Sequence, residues 1–317
     1  MYVLCSNITI GGKRFAGVHE VKIKRSIHLI GATASVKVPV TAVLRQEGAP
    51  PAYVETAQAI KVGDPVDIRL GYDGQYKTEF RGYVKQLNLQ TPLEIICEDE
   101  FYTTRRRNVT LQGKTTLAAV LKACGLTVGY ATTLTLGAFP VDNKPAAWVL
   151  GKLQTEYGLA IWFDLEGRVY ACEPYKVIGE TVKYRLRYNV VKDDDLKYQR
   201  AEDVKLKIKA ICIYKDGAKV EATIGPKDGT EKKLYFYDVA DQNELAALAA
   251  AELQRYSYDG YSGKITTFLQ PYAAPCMVAE IEDEVYHQRD GRYYIESVET
   301  TYGTNGARRT MEIGIKI

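Results

Sequence analysis

The sequence predicts a mainly β protein with an α+β insertion. Two similar β-barrel-like domains, residues 1–104 and 191–317, flank a small helix and β-hairpin domain at 105–190. Three observations predict this. Apolar and polar residues alternate with period two near both ends of the chain, as half-buried strands require. Helix-period stripes with capping residues and a following hairpin lie between them. The third is an internal echo. GDPVDI at 63–68, a turn at Asp73 and Gly74, GYV at 82–84 with Leu87, and LEIIC at 93–97 are answered near the C-terminus. There the order is AEI at 279–281, a turn at Asp290 and Gly291, YYI at 293–295 with Val298, and MEIGI at 311–315. A duplicated β-module with no catalytic constellation between its copies reads as building material for a ring, each subunit supplying two similar wedges, rather than as an enzyme.

In chain order, Val21, Ile23 and Arg25 oppose Lys22 and Lys24, and Val66, Ile68 and Leu70 oppose Asp67 and Arg69. GYDG at 71–74 then permits a hairpin with residues 75–87 as the return strand. APPA at 49–52 is a loop, because consecutive prolines supply no ladder donors. Thr115 or Thr116 caps a helix with Leu117, Val120 and Leu121 on one face, and Gly125 stops it. A second helix begins near Pro145 and runs through Trp148, Leu150 and Leu153 to Gly158. Residues 159–164, a turn at Glu166 and Gly167, and residues 168–172 form a hairpin behind it. The Asp193, Asp194, Asp195 run reads as a solvated interdomain linker. Val204, Leu206 and Ile208 alternate with Lys205, Lys207 and Lys209, the pattern of an edge or solvent-facing strand. A turn at 225–229 precedes a further strand at 234–237. Asp241 caps a helix over about 241–256 with Leu245, Leu248, Ala249 and Leu253 on its stripe. Strands resume from Gly263, and Met311, Ile313, Ile315 and Ile317 make the C-terminus a paired strand.

Apolar residues are 46% and charged residues 26%, which excludes a disordered or fibrous chain. No apolar run approaches the roughly 20 residues of a spanning helix, so no membrane insertion by this chain is expected. The first eight residues hold no basic segment followed by an apolar core, which predicts synthesis and folding in the cytoplasm. Six scattered cysteines, Cys5, Cys97, Cys124, Cys172, Cys212 and Cys276, read as buried free thiols rather than a disulfide framework or zinc site. A net charge of +3 gives no sign of nucleic acid. The 24 tyrosines beside 7 phenylalanines suit both strands and protein interfaces, and either reading fits any one of them.

Candidate chemistry is sparse. His19, His28 and His287 are isolated, without metal-ligand spacing. The aspartate run lacks the spaced ligands of a calcium loop. Glu280, Glu282, Asp283 and Glu284 could supply a glycosidase pair, yet such residues are common on solvent faces. GKTT at 113–116 lacks the upstream glycine of a phosphate-binding loop and reads as a helix lead-in. Arg105, Arg106 and Arg107, with Lys22, Lys24 and Arg25 nearby, could face phosphates. A salt-bridged junction with Glu98, Asp99 and Glu100 is the favoured alternative. No catalytic, cofactor-binding or metal residue is therefore assigned, and no cofactor is expected.

VGDPVDIRLGY at 62–72, FRGYV at 80–84 with LEIICEDE at 93–100, YGLAIWF at 157–163, and DGRYYI at 290–295 with YGTNG at 302–306, Arg308 and Arg309 follow one another in a familiar order. In that order the chain resembles the baseplate hub proteins of contractile-tailed phages, the late control protein D and phage Mu hub group. These are similar in turn to the N-terminal part of type VI secretion spike proteins. Cys276 departs from the pattern, standing where a glycine would enter the late strand. The resemblance implies a structural, non-enzymatic hub: a homotrimer whose two barrels per subunit make a pseudo-sixfold ring, joining a sixfold tail tube to a threefold spike. Its implied partners are a tail spike protein and tail tube or tube-initiator proteins, with a tape-measure protein as a further candidate and no specific nucleic acid. Its implied place is a virion tail baseplate or injection particle assembled in the bacterial host cytoplasm. The alternatives are a nucleic-acid-binding β-barrel, carried by the arginines and tyrosines, and a tail-associated cell-wall hydrolase, carried by the late carboxylates.

Overall fold

The computed structural model describes residues 3–45, 50–193, 195–214, 218–237 and 239–317. The expectations for Met1, Tyr2, Ala49 and Asp194 lie outside these residues. The fold is mainly β. Among the described residues, fourteen strands share one large sheet and are numbered β1–β14 in chain order. They are β1 Leu4–Ile10, β2 Lys13–Phe15, β3 Glu20–Ser26, β4 Thr33–Val38, β5 Pro65–Tyr72, β6 Gln75–Asn88 and β7 Leu93–Glu98. The C-terminal set is β8 Thr181–Arg185, β9 Val190–Lys192, β10 Leu196–Gln199, β11 Gly260–Thr267, β12 Val278–Glu282, β13 Gly291–Gly303 and β14 Gly306–Lys316.

Neighbouring strands run β1-β5-β6-β7-β4-β3 in the first repeat and β8-β12-β13-β14-β11 in the second, where β9 and β10 both pair with β11. Each set curls until its inward side chains meet. Ile8, Val36, Ile68, Phe80 and Ile95 share one core, and Tyr184, Ile265, Ile281, Tyr293 and Met311 another. Alternation with period two explains this directly, since every second side chain of each strand points to the same side. The repeats differ at their first strand, because β1 runs antiparallel to β5 whereas β8 runs parallel to β12.

The middle of the chain has its own core. Thr116 Oγ1 accepts the Ala119 N–H at 3.3 Å and caps helix Leu117–Ala123. Helix Ala146–Tyr157 begins directly after Pro145, and both helices bury leucine and valine against strands Ala160–Phe163 and Val169–Cys172. Asp241 Oδ1 accepts from Asn243 and Glu244 N–H at 2.8 and 2.9 Å and caps helix Gln242–Tyr256. Leu245 and Ala249 are buried there, while Leu248 lies outside the buried stripe at 38% exposure.

Four sequence expectations change. The strand Leu206–Ile213 is neither an edge strand nor part of the second curled sheet. It is the centre of a separate three-stranded sheet with Lys219–Ile224 and Thr230–Phe236, covered by helix Gln242–Tyr256. Its lysine face does meet solvent, where Lys209 pairs with Glu221 at 2.8 Å. Asp193 and Asp195 do not lie in an interdomain linker, because the strands before and after them both lie on β11. Thr181–Arg185 falls within 105–190 by number but hydrogen-bonds to β12, in the second repeat. The fourth change concerns the register of the echo and emerges at the site.

Candidate functional site: the seam between the two repeats

Up to its last strand the echo holds residue by residue. Gly63 N–H donates to Val84 O at 2.8 Å, and Val84 N–H to Asp64 O at 2.9 Å. In the second repeat Cys276 N–H donates to Ile295 O and Ile295 N–H to Met277 O, both at 2.9 Å. Cys276 therefore occupies the place of Gly63, and both are left-handed, at φ +73° and +94°. The turn geometry is kept although the residue type is not. Asp67 opposite Arg81 is matched by Glu280 opposite Arg292. A bulge at Lys85 between β6 and β7 recurs at Glu296 between β13 and β14. A bulge adds twist and helps a sheet curl.

These pairings correct the echo by two positions at its end. Val84 pairs with Cys97 and Ile295 with Ile313, so Cys97 matches Ile313 and Ile95 matches Met311. By motif alone, LEIIC aligns Leu93 with Met311. A two-residue slip keeps every side chain on its face, so alternation cannot detect it.

The repeats meet where β3 pairs antiparallel with the second half of β13, from Ser26 opposite Ser297 to Glu20 opposite Gly303. Gly303 is needed there, since an added Cβ would stand 2.6 Å from His19 O. Lys22 reaches Glu299 across the seam at 3.0 Å. Beneath it lies a buried charge centre. Arg309 of β14 has no exposed surface and donates to Glu79 of β6, to Leu269 O, and to Pro271 O at 3.2 Å. The guanidinium also lies 4.8 Å from the Tyr272 ring centre. Its Nε has no hydrogen-bond partner among the described residues. Burial pushes the Glu79 carboxyl above the usual range, against the pull of Arg309. Leu269 and Ala307 of the second repeat complete the first core.

The residues considered from sequence fall elsewhere. Arg105 forms a two-point ion pair with Glu98 at 2.8 and 3.0 Å, Arg106 stacks on Tyr102, and Arg107 caps the carbonyls of Cys124 and Gly125. Arg105 and Arg106 are thus held beside the end of β7, and Arg107 reaches the middle unit. Asp99 accepts the N–H groups of Ala32 and Phe101, and burial raises its carboxyl to about 7. Glu282 pairs with Arg185 at 2.9 Å and Glu280 lies 3.8 Å from Lys183. Burial of Asp283 is outweighed by hydrogen bonds from Tyr261, Val285, Tyr286 and Arg187, which hold its carboxyl at about 2. These carboxylates are engaged structurally rather than converging as an acid and base. His28 lies 3.1 Å from Glu296 and His287 lies 3.7 Å from Asp290. No cluster of three metal-ligating side chains occurs among the described residues. All six cysteines are free, Cys5 half-buried and five buried. Burial raises the thiols of Cys97 and Cys172 to about 12, which keeps them protonated.

Solved structures share this architecture. The 43 kDa tail protein of prophage MuSo2 from Shewanella oneidensis aligns over 97% of both chains, with a TM-score of 0.61 and 16% identity. A tail protein from Neisseria meningitidis aligns over 100% of this chain and 97% of its own, with a TM-score of 0.62 and 11% identity. The chain has the fold of phage tail proteins. An Escherichia coli component of the type VI secretion system, described as structurally similar to the T4 bacteriophage tail proteins gp27 and gp5, aligns over 97% of this chain and 76% of its own, at a TM-score of 0.59 and 10% identity. No protein-family model and no curated protein sequence matches the chain.

Within this tail-protein fold, sequence reasoning missed Glu79 as half of the seam's charge centre and named Arg309 only as part of a motif. The available signal was parity. Arg309 falls on the same alternation as Met311, Ile313 and Ile315, so its position on the buried face was readable.

Proposed function

We propose that this protein is the structural hub of a contractile phage tail baseplate or a related injection device. Three chains would contribute six similar β-modules to a pseudo-sixfold ring around a channel, joining tail tube to central spike. The observation that carries the reading is the repeat itself: two modules with one strand order, one bulge position and one left-handed entry turn, within the fold of phage tail proteins. Physically, such a chain presents six similar faces to a sixfold neighbour while its true symmetry stays threefold. The role is steric and mechanical, without catalysis or cofactor. Its partners would be a spike protein and tube or tube-initiator proteins, with a tape-measure protein as a further candidate, in a virion tail assembled in the host cytoplasm. The proposal retains a three-part chain of two hub modules with a middle domain between them. It moves the second boundary to just before Thr181, because Thr181–Arg185 bonds into the second module.

The test is solution mass by size-exclusion chromatography with light scattering across a concentration series. A species near three times 35.4 kDa is expected, followed by a ring in electron micrographs. A chain that stays monomeric both alone and with spike and tube proteins would overturn the hub reading.

A further inference from the structure

The internal seam has a counterpart that is left open. Strand pairings make Leu196, Lys197, Tyr198 and Gln199 the equivalents of Ile23, Lys24, Arg25 and Ser26, since Ile23 opposes Ala34 as Leu196 opposes Gly263. Through the shared bulge, residues 86–89 are the equivalents of 297–300. The two edges that pair inside the chain therefore recur once more, as the outer edge of β10 and the outer edge of residues 86–89. Among the described residues, β10 pairs only with β11, and residues 86–88 pair only with β7.

Exposure follows the same division. At the closed seam Thr300 is 2% exposed and Ile23 is 1% exposed. At the open positions the equivalent of Thr300 is Leu89, at 80% exposure, and the equivalent of Ile23 is the half-buried Leu196. The edges also end within one residue of the same register. In the first repeat β6 ends at Asn88, and Gln90 N–H turns back to Asn88 O at 2.9 Å. In the second repeat the strand that corresponds to β3 is interrupted before Leu196, where Leu196 N–H bonds to Asp193 O at 2.8 Å. The open edge of β10 thus offers four residues, which match Gln86, Leu87 and Asn88 of β6 and Leu89 directly after it. An exposed strand edge with apolar side chains is a template for another chain unless something covers it.

We infer that the outer edge of Leu196–Gln199 in one copy of this protein pairs antiparallel with residues 86–89 of the next copy, Leu89 opposite Leu196 and Leu87 opposite Tyr198, repeating the internal seam between chains. The inference rests on the ring reading and names the surface that closes it. It makes the contact heterologous, with two different edges meeting, so every copy uses one edge of each kind and the series closes only as a ring. It also accounts for an exposed leucine beside a strand that has no neighbour on that side among the described residues.

Disulfide trapping tests the register, because cysteines at facing positions of antiparallel strands come within bonding range. In a Cys5→Ser background, the chain carrying Leu89→Cys and Leu196→Cys is oxidised mildly and run on a non-reducing gel. The control carries Leu89→Cys and Lys205→Cys, the latter at an exposed site outside the large sheet. The expected result is a covalently linked trimer at least ten times more abundant than any linked species in the control. Thermal unfolding of both variants under reducing conditions should match that of the parent, so that loss of linkage is not loss of folding. A trimer by light scattering that fails to link through this pair overturns the inferred seam and leaves the hub reading standing. A folded variant that neither associates nor links at any concentration also overturns the inference. The hub reading would then depend on spike or tube proteins driving assembly.

Discussion

Cys276 carries a cost that its counterpart Gly63 does not. A side chain held in the left-handed region is disfavoured by about 1–2 kcal/mol relative to ordinary backbone, and glycine escapes this. Cys276 sits at φ +73° and is nevertheless buried against Tyr175, Tyr294 and Ile315. Packing therefore retains a residue that the backbone disfavours. Replacing a buried cysteine in a strand by glycine loses its burial and adds chain entropy, together about 2 kcal/mol. Cys97→Gly should show that full loss by chemical denaturation. Cys276→Gly should cost less than about 1 kcal/mol, because relief of the left-handed strain offsets the lost contact. Equal losses in the two variants would show that Cys276 is unstrained.

At the scale of elements, each repeat depends on an inward alternation that tolerates no charge. Ile68 of β5 has no exposed surface and Ile313 of β14 has 4%. A carboxylate at either position has no partner, and burying it unpaired costs several kcal/mol, a large share of the stability of a typical domain. Ile68→Asp and Ile313→Asp should each abolish the cooperative unfolding transition and the near-ultraviolet circular dichroism of the folded chain. Lys77→Asp, at an exposed position of β6, should stay within about 0.5 kcal/mol of the parent. Soluble, natively packed Ile68→Asp protein would mean that the assigned inward face is wrong. The strands and turns of this hairpin were legible in advance, because Asp73 and Gly74 supply the positive φ values that its tight turn needs. The two-residue offset between LEIIC and MEIGI was not, since only the shared bulge sets that register.

For the whole molecule, the decisive contact is Arg309 with Glu79, one residue from each repeat. A buried ion pair is weak evidence of stability, since desolvation can exceed the attraction, but removing one partner strands the other. Arg309→Met should therefore cost roughly 3–5 kcal/mol, and adding Glu79→Leu should restore most of that loss. Denaturant titration of the two single variants and the double gives the coupling. Additive losses would show that the pair does not act as a unit across the seam. If the double variant recovers stability yet unfolds in two transitions, the ion pair holds the repeats together specifically, rather than adding to their separate stabilities.

The sequence by itself determined the strands of the echoed stretches, the three main helices with their caps, the middle hairpin, and that one module occurs twice. Those features follow from side-chain period and local backbone preference, which are properties of neighbouring residues. Only the tertiary structure decided that β3 joins β13, that Leu206–Ile213 leaves the second module for a sheet of its own, that Asp193 and Asp195 lie between two strands that both pair with β11, and that Arg309 meets Glu79. Strand partners are chosen by hydrogen bonds and packing between residues far apart in the chain. Alternation states which face is buried and is silent on which edge meets which.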